Sequence, residues 1–263
     1  AYIDDFAGTG YRELRNTELK EEVQSSFFEV EQEIQQFMDG SARIALQTKP
    51  RFDKYVFIEK DSKKITDLEQ LKQEFPDKCK DIKIVNDDAN KYLIDLCKKD
   101  WTSNRAVLFL DPFGMQIPWS TIEAIAKTQA IDLWYLFPLG IGVNRLLKRD
   151  ANIPETWRNK LNDIFGTNDW LETFYKPVEQ QARQLSLFDI ENALPKEVEK
   201  VANFESIGQY FVERLKTVFA GVAENPLLLC NSCNNPLYLL CFASGNPKGA
   251  KTAIKIAQHI LKN

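Results

Sequence analysis

Four acids and one glycine loop carry the chemistry that can be read from this chain. The opening run Tyr2 to Phe6 is β-branched and aromatic and breaks into Ala7-Gly8-Thr9-Gly10. Glycines there let backbone come close to a ligand where a side chain would collide, and Asp4 can accept from a ligand's amino group. The run Lys54 to Glu59 ends in an acid whose two oxygens suit the hydroxyls of a ribose. Ile82 to Val85 leads into Asp87-Asp88-Ala89-Asn90, where Asp88 can take an adenine amino hydrogen while Ala89 supplies backbone. Ala106 to Leu110 is an unbroken apolar run ending in Asp111-Pro112-Phe113-Gly114. Each has a plain structural reading as well: Asp88 as a helix cap, Glu59 as a solvated strand end, Asp111-Pro112 as a turn. Their joint order, glycine loop then ribose acid then adenine acid, points to a nucleotide-like ligand. The spacing departs from Gly-x-Gly-x-x-Gly because position 13 is Glu, which disfavours NAD or FAD.

These residues need a sheet edge to bring them together. Strand-like runs at Tyr2 to Phe6, Lys54 to Glu59, Ile82 to Val85, Ala106 to Leu110 and Leu133 to Phe137 alternate with helical patterns at Ser41 to Thr48, Ser62 to Phe75, Asn90 to Lys99 and Ser120 to Lys127. Such alternation predicts a mainly parallel sheet. Ser62 and Ser120 are expected as N-caps. Pro226 to Asn231 and Leu237 to Ala243, separated by a Ser-Cys-Asn-Asn turn, predict an antiparallel hairpin, and the final helix carries one apolar stripe, Ala253, Ile254, Ile256, Ala257, Ile260 and Leu261. The expected fold is α/β: a Rossmann-like seven-stranded sheet of five parallel strands plus the C-terminal hairpin. Residues 1–138 and 226–263 would form that domain, with an acidic insertion at 11–39. Residues 139–225 read as a helical cap over the strand ends, one face marked by Phe204, Ile207, Phe211, Leu215 and Phe219, and 176–192 as an exposed loop.

The length of 263 residues admits a sizeable core, and no apolar run approaches the ~18 residues of a membrane span. Five cysteines, an odd number, fit free thiols in a reducing compartment, so a soluble cytoplasmic protein is expected. The chain opens without Met and inside a strand, which suggests that a preceding helix has been trimmed or lost. A net charge of -4 gives no general attraction to phosphate, so contact with nucleic acid requires a local basic patch.

The motifs Asp-x-Phe-Ala-Gly-Thr-Gly, Phe57-Ile58-Glu59, Asp88-Ala89 and Asp111-Pro112-Phe113-Gly114 resemble those of class I S-adenosylmethionine-dependent methyltransferases. More narrowly the chain resembles the three-Cys-motif partner (TcmP) family, through Tyr2 to Gly8, Gly40-Ser41 with Ala45-Leu46, Phe57 to Asp61, Leu108 to Gly114 and Leu237 to Ser244. The resemblance implies a methyltransferase fold, with Asp4, Phe6, Gly8, Gly10, Glu59, Asp88 and Ala89 holding S-adenosylmethionine and no metal. It also implies a partner of the radical-SAM type, whose cysteines give that family its name. In amino-methyltransferases acting on bases, an Asp or Asn and the next Pro carbonyl accept hydrogen bonds from an exocyclic amine and aim its lone pair at the methyl group. Asp111 and Pro112 suit those roles. The family pattern continues with Pro and an aromatic, where this chain has Phe113 and Gly114, so Phe113 would have to serve as the stacking group. The Asp-Pro-Phe-Gly form also resembles tRNA guanosine-N2 dimethyltransferases.

Other signals are weaker. Cys230-x-x-Cys233 with Cys241 and the single His259 reads better as hairpin packing than as a zinc site, and one histidine leaves little room for a hydrolase triad. Gln184-Leu185-Ser186-Leu187-Phe188 resembles a sliding-clamp docking pentapeptide, with internal packing of the same leucines as the alternative. Arg145, Lys148, Arg149, Arg158 and Lys160 outnumber Asp150 and Glu155 and form a patch able to meet phosphates, or simply a solvated helix face. The expected function is methyl transfer to an amino group of a nucleobase or nucleotide. The alternative is an inactive methyltransferase-like scaffold for a radical-SAM-type protein or DNA-linked machinery.

Overall fold

The computed structural model describes residues 1–5, 7, 40–112, 114–177 and 198–262. In chain order these form β1 (Tyr2–Asp5), α1 (Ser41–Gln47), β2 (Tyr55–Ile58), α2 (Ser62–Glu74), β3 (Ile82–Val85), α3 (Ala89–Cys97), β4 (Ala106–Leu110), α4 (Trp119–Lys127) and β5 (Ile131–Phe137). There follow α5 (Glu155–Phe165), α6 (Trp170–Phe174), β6 (Tyr175–Pro177), β7 (Val198–Lys200), α7 (Phe204–Lys216), β8 (Gly221–Val222), β9 (Leu227–Cys230), β10 (Pro236–Ser244) and α8 (Ala250–Ile260).

The main sheet runs β3-β2-β1-β4-β5-β10-β8, with β9 also on β10. β1 to β5 are mutually parallel, and β10 is antiparallel to β5, β8 and β9. This is the strand order and direction of a Rossmann-like methyltransferase fold. Side-chain alternation sends Ile3, Leu108, Leu110, Leu133, Tyr135 and Phe137 to one face, where they pack with Leu93 of α3, Ile122 and Ile125 of α4 and Phe211 of α7. Tyr55 and Phe57 cover the other face with Leu46 of α1 and Leu68 and Leu71 of α2. Helix α8 closes that side at Phe242 through Ala257 and Leu261.

Several boundaries differ from the expectations. Asp61, not Ser62, caps α2: its side chain accepts from the Lys63 amide, because a carboxylate one residue earlier reaches the orphan donor. Pro118 occupies the cap position of α4, so Ser120 lies inside the helix. Ile256 and Ile260 are exposed, leaving Ala253, Ile254, Ala257 and Leu261 as the packed stripe of α8. Periodicity predicts helices and an exposed loop at 176–192 across 139–225, whereas β6 and β7 pair there and β8 starts the sheet edge ahead of residue 226; residues 178–192 of the expected loop lie outside the described residues. These strands have two or three residues, too short for an alternation signal. Helix α7 lies on the sheet itself, Phe211 stacking on Phe137 with ring centroids 3.8 Å apart, and the buried residues of α5 and α6 join the same core. No helix among the described residues is long and apolar enough to cross a membrane.

Candidate functional site

Parallel pairing sets the strand exits side by side. Asp5 is level with Ile58 on one side and Leu110 on the other, so the next residues, Glu59 and Asp111, flank the exit of β1. The winding also reverses here, β2 and β3 extending one way and β4 and β5 the other. Open α/β sheets bind ligands in the crevice outside the carboxyl ends of the strands at such a switch point.

Four buried carboxylates lie at these strand exits: Asp4, Asp5, Glu59 and Asp111. Asp4 Oδ2 accepts from Ser41 Oγ at 2.8 Å and from the Tyr2 hydroxyl at 3.4 Å. Burial pushes the Asp4 carboxyl up to about 7, against the pull of those two hydrogen bonds. Its charge in turn adds to burial in holding the Tyr2 phenol well above its ordinary range. Asp5 points to the opposite face, where its Oδ1 accepts the Asp111 N–H at 2.8 Å. Burial raises Asp5, and burial followed by the charge of Asp4 raises Asp111, both well above the usual carboxylate range. Asp4 Oδ1, Asp5 Oδ2, Glu59 Oε2 and Asp111 Oδ1 have no hydrogen-bond partner among the described residues. Buried polar atoms are normally satisfied, so such a group marks a place where a donor is expected to enter.

Glu59 Oε1 accepts the Asp61 N–H at 2.9 Å, while Oε2 lies 3.7 Å from Lys64 Nζ. Asp88 caps α3, its Oδ1 accepting from the Lys91 amide at 3.2 Å, with Oδ2 3.6 Å from Lys60 Nζ. The bland reading of Asp88 therefore holds at one oxygen, and Ala89 follows as the first residue of α3. Two asparagines that sequence reasoning passed over tie the loops together. Asn86 donates to the carbonyls of Glu59 and Lys60, both at 3.0 Å. Asn90 donates to the Gln116 carbonyl and accepts from Thr121, anchoring the loop after Asp111 to α3 and α4. Their position at the exit of β3 was the only available signal. Pro112 is buried beside Asp111. Gly114 takes φ 68°, and a Cβ built on it meets nothing within 4 Å, so the space at that loop position is open.

Phe6, Gly8, Gly10, Phe113, the acidic segment 11–39 and Gln184, Leu185, Leu187 and Phe188 lie outside the described residues. The cysteines do not converge: Cys241 is buried, with burial pushing its thiol up, while Cys230 and Cys233 are exposed. Among the described residues no group of three or more His, Cys, Asp or Glu is placed to hold a metal. Arg145, Lys148 and Arg149 follow the turn after β5, a π segment in which the Val143 N–H donates to the Pro138 carbonyl.

Comparison with protein families and with curated proteins finds no match. Among solved structures, a DUF519 protein of Legionella pneumophila aligns with a TM-score of 0.46 at 14% identity, covering 99% of this chain and 82% of its own. The YcgJ protein of Bacillus subtilis aligns with a TM-score of 0.31 at 10% identity, covering 92% and 88%. Likeness at this level carries no argument; the fold assignment rests on strand order and direction.

Proposed function

We propose that this chain is an S-adenosylmethionine-dependent methyltransferase acting on an amino group of a nucleobase or nucleotide. The observation that supports it is the set of buried oxygens on Asp4, Glu59 and Asp111 around the exit of β1 that have no hydrogen-bond partner among the described residues. Asp4 suits an ammonium group, Glu59 Oε2 a ribose hydroxyl, and Asp88 with the Ala89 backbone an adenine edge, so the residues present fit the cofactor. Bound there, S-adenosylmethionine supplies an electrophilic methyl group. The protein's own part is to bind and orient. Asp111 Oδ1 accepts an N–H of the acceptor amine and the Pro112 carbonyl can accept a second, which aims the nitrogen lone pair at the methyl group. Calorimetry with S-adenosylmethionine and S-adenosylhomocysteine tests the reading. Binding by the intact chain and its loss in Gly8→Trp are expected; no binding by the intact chain removes it.

A second reading is favoured by Gly114. Base stacking by an aromatic at that loop position is absent, and φ 68° disfavours any side chain there. A domain of the TcmP type that scaffolds a radical-SAM-type protein, or docks on a sliding clamp through Gln184 to Phe188, needs no such group. Asp111→Ala separates the two: an enzyme loses turnover on a panel of nucleosides and oligonucleotides while keeping its fold, and a scaffold loses nothing.

A further inference from the structure

The cations after β5 are held in a fixed arrangement by a hairpin remote in sequence. Tyr175 and Lys200 are paired across β6 and β7. The Tyr175 hydroxyl donates to the Lys148 carbonyl at 2.7 Å, and the Lys200 N–H donates to the Arg149 carbonyl at 2.9 Å. Lys200 Nζ, half-buried, donates to Asn144 Oδ1 at 2.6 Å. Lys148 Nζ sits 5.5 Å from the centre of the Trp157 ring. Among the described residues none of Lys148, Arg149 and Lys200 has a carboxylate within salt-bridge distance, while many other cations of this acidic chain do. Burial first, and then the charge of Arg149, lowers the Lys200 ammonium, while Asp150, next in sequence to Arg149, is the carboxylate whose charge reaches Tyr175.

The arrangement also adjoins the candidate site. Asn144 is two residues beyond Gly142, and Gly142 packs so closely on Met115 of the Asp111 loop that a Cβ would lie 2.9 Å from Met115 Cγ. We infer that Lys148, Arg149 and Lys200, with Trp157 beside them, bind the phosphodiester backbone of a polynucleotide and deliver one of its bases to the Asp111 loop. Phosphate contacts of this kind position a strand without reading it. The inference rests on the nucleobase reading above and names its substrate class.

The test uses the full chain, a fluorescent single-stranded RNA of about 20 nucleotides, the same sequence as DNA, and calorimetry with S-adenosylhomocysteine on the same samples. Lys148→Gln/Arg149→Gln/Lys200→Met is expected to weaken oligonucleotide binding at least tenfold at low salt. It should also flatten the slope of log K against log salt by about 2, as removal of three phosphate contacts predicts. S-adenosylhomocysteine binding should be unchanged, and Lys251→Gln/Lys255→Gln on α8 should bind the oligonucleotide like the parent. Equal binding by triple variant and parent, or no binding by the parent at about 50 mM salt, overturns the inference. So does full competition by inorganic phosphate or a mononucleotide at oligonucleotide concentrations, or preference for anionic vesicles through the same residues. Oligonucleotide binding with no cofactor binding would instead sink the methyl-transfer reading and leave this surface standing.

Discussion

The Asp111 N–H donates to Asp5 Oδ1 at 2.8 Å, across 106 residues of sequence. The bond joins the exits of β1 and β4, so the loop that would hold the cofactor and the loop that would hold the acceptor share one buried fastening. Because β-strand alternation turns Asp4 and Asp5 to opposite faces, Asp4 is left to face Ser41 and the crevice.

Asp5→Asn should be tolerated, since an amide oxygen still accepts the Asp111 N–H. Asp5→Leu strands that buried donor, at a cost of about 1 to 3 kcal/mol, and frees the acceptor loop. Urea unfolding should show a lower midpoint for Asp5→Leu and little change for Asp5→Asn. Equal midpoints for the two would show that the bond contributes nothing.

Stability should fall as pH rises. The Asp4 carboxyl titrates near 7 in the folded chain against an ordinary 3.8. Between those values the native state keeps a proton that the unfolded chain has released, so this contribution is complete below pH 3.8 and is lost as pH climbs through 7. Asp5 and Asp111 are shifted in the same direction and add to the loss. Asp4→Asn should flatten the profile and, at pH 8, exceed the parent in stability by an amount on the order of a few kcal/mol. A cationic ligand should stabilise the parent more at pH 8 than at pH 5. A parent whose urea midpoint rises from pH 5 to pH 8 contradicts the burial argument.

What the sequence made legible follows from the range of the interactions involved. β4 lies where the apolar run Ala106 to Leu110 predicts it, because a strand buried in a parallel sheet needs little beyond such a run, and β3, at the sheet edge, lies where the β-branched run Ile82 to Val85 predicts it, with Lys83 exposed. Glu59 and Asp111 were locatable as the acids at the ends of the Lys54 to Glu59 and Ala106 to Leu110 runs. Asp5 was not, since its role depends on a backbone donor a hundred residues away, and neither were Lys200 and Asn144, which meet only through the β6–β7 pairing. Asp88 was legible as a cap, because a cap is a local interaction. The aromatic row of α7 was read correctly as one face, but only the packed sheet shows that Phe137 is what it covers.

Two glycines of the turn after β5 should respond differently to the same change. A Cβ at Gly140 would lie 1.8 Å from the Pro236 carbonyl oxygen, fixed backbone of β10. At Gly142 it would meet the Met115 side chain, which has rotamers to spare. Gly140→Ala should therefore destabilise by about 2 kcal/mol or more, and Gly142→Ala by less while shifting Met115 and the Asp111 loop. Denaturant midpoints, read beside S-adenosylhomocysteine and oligonucleotide affinities, distinguish the two. A Gly140→Ala variant as stable as the parent would mean that the turn and β10 do not pack as described.

Glu59 divides its oxygens between structure and ligand, and that division is separable. Oε1 holds the Asp61 N–H, which starts α2, while the buried Oε2 has no hydrogen-bond partner among the described residues. Glu59→Gln can keep the first interaction through its amide oxygen, so the fold should survive. It replaces the second acceptor by a donor and removes the charge. One hydrogen bond to a charged group is worth about 1.5 to 3 kcal/mol, so S-adenosylhomocysteine affinity should drop by tenfold or more. Glu59→Ala removes both interactions, and should lower the urea midpoint as well as the affinity. If Glu59→Gln binds S-adenosylhomocysteine as tightly as the parent, Oε2 is not a ribose acceptor and the lysine 3.7 Å away is its whole function.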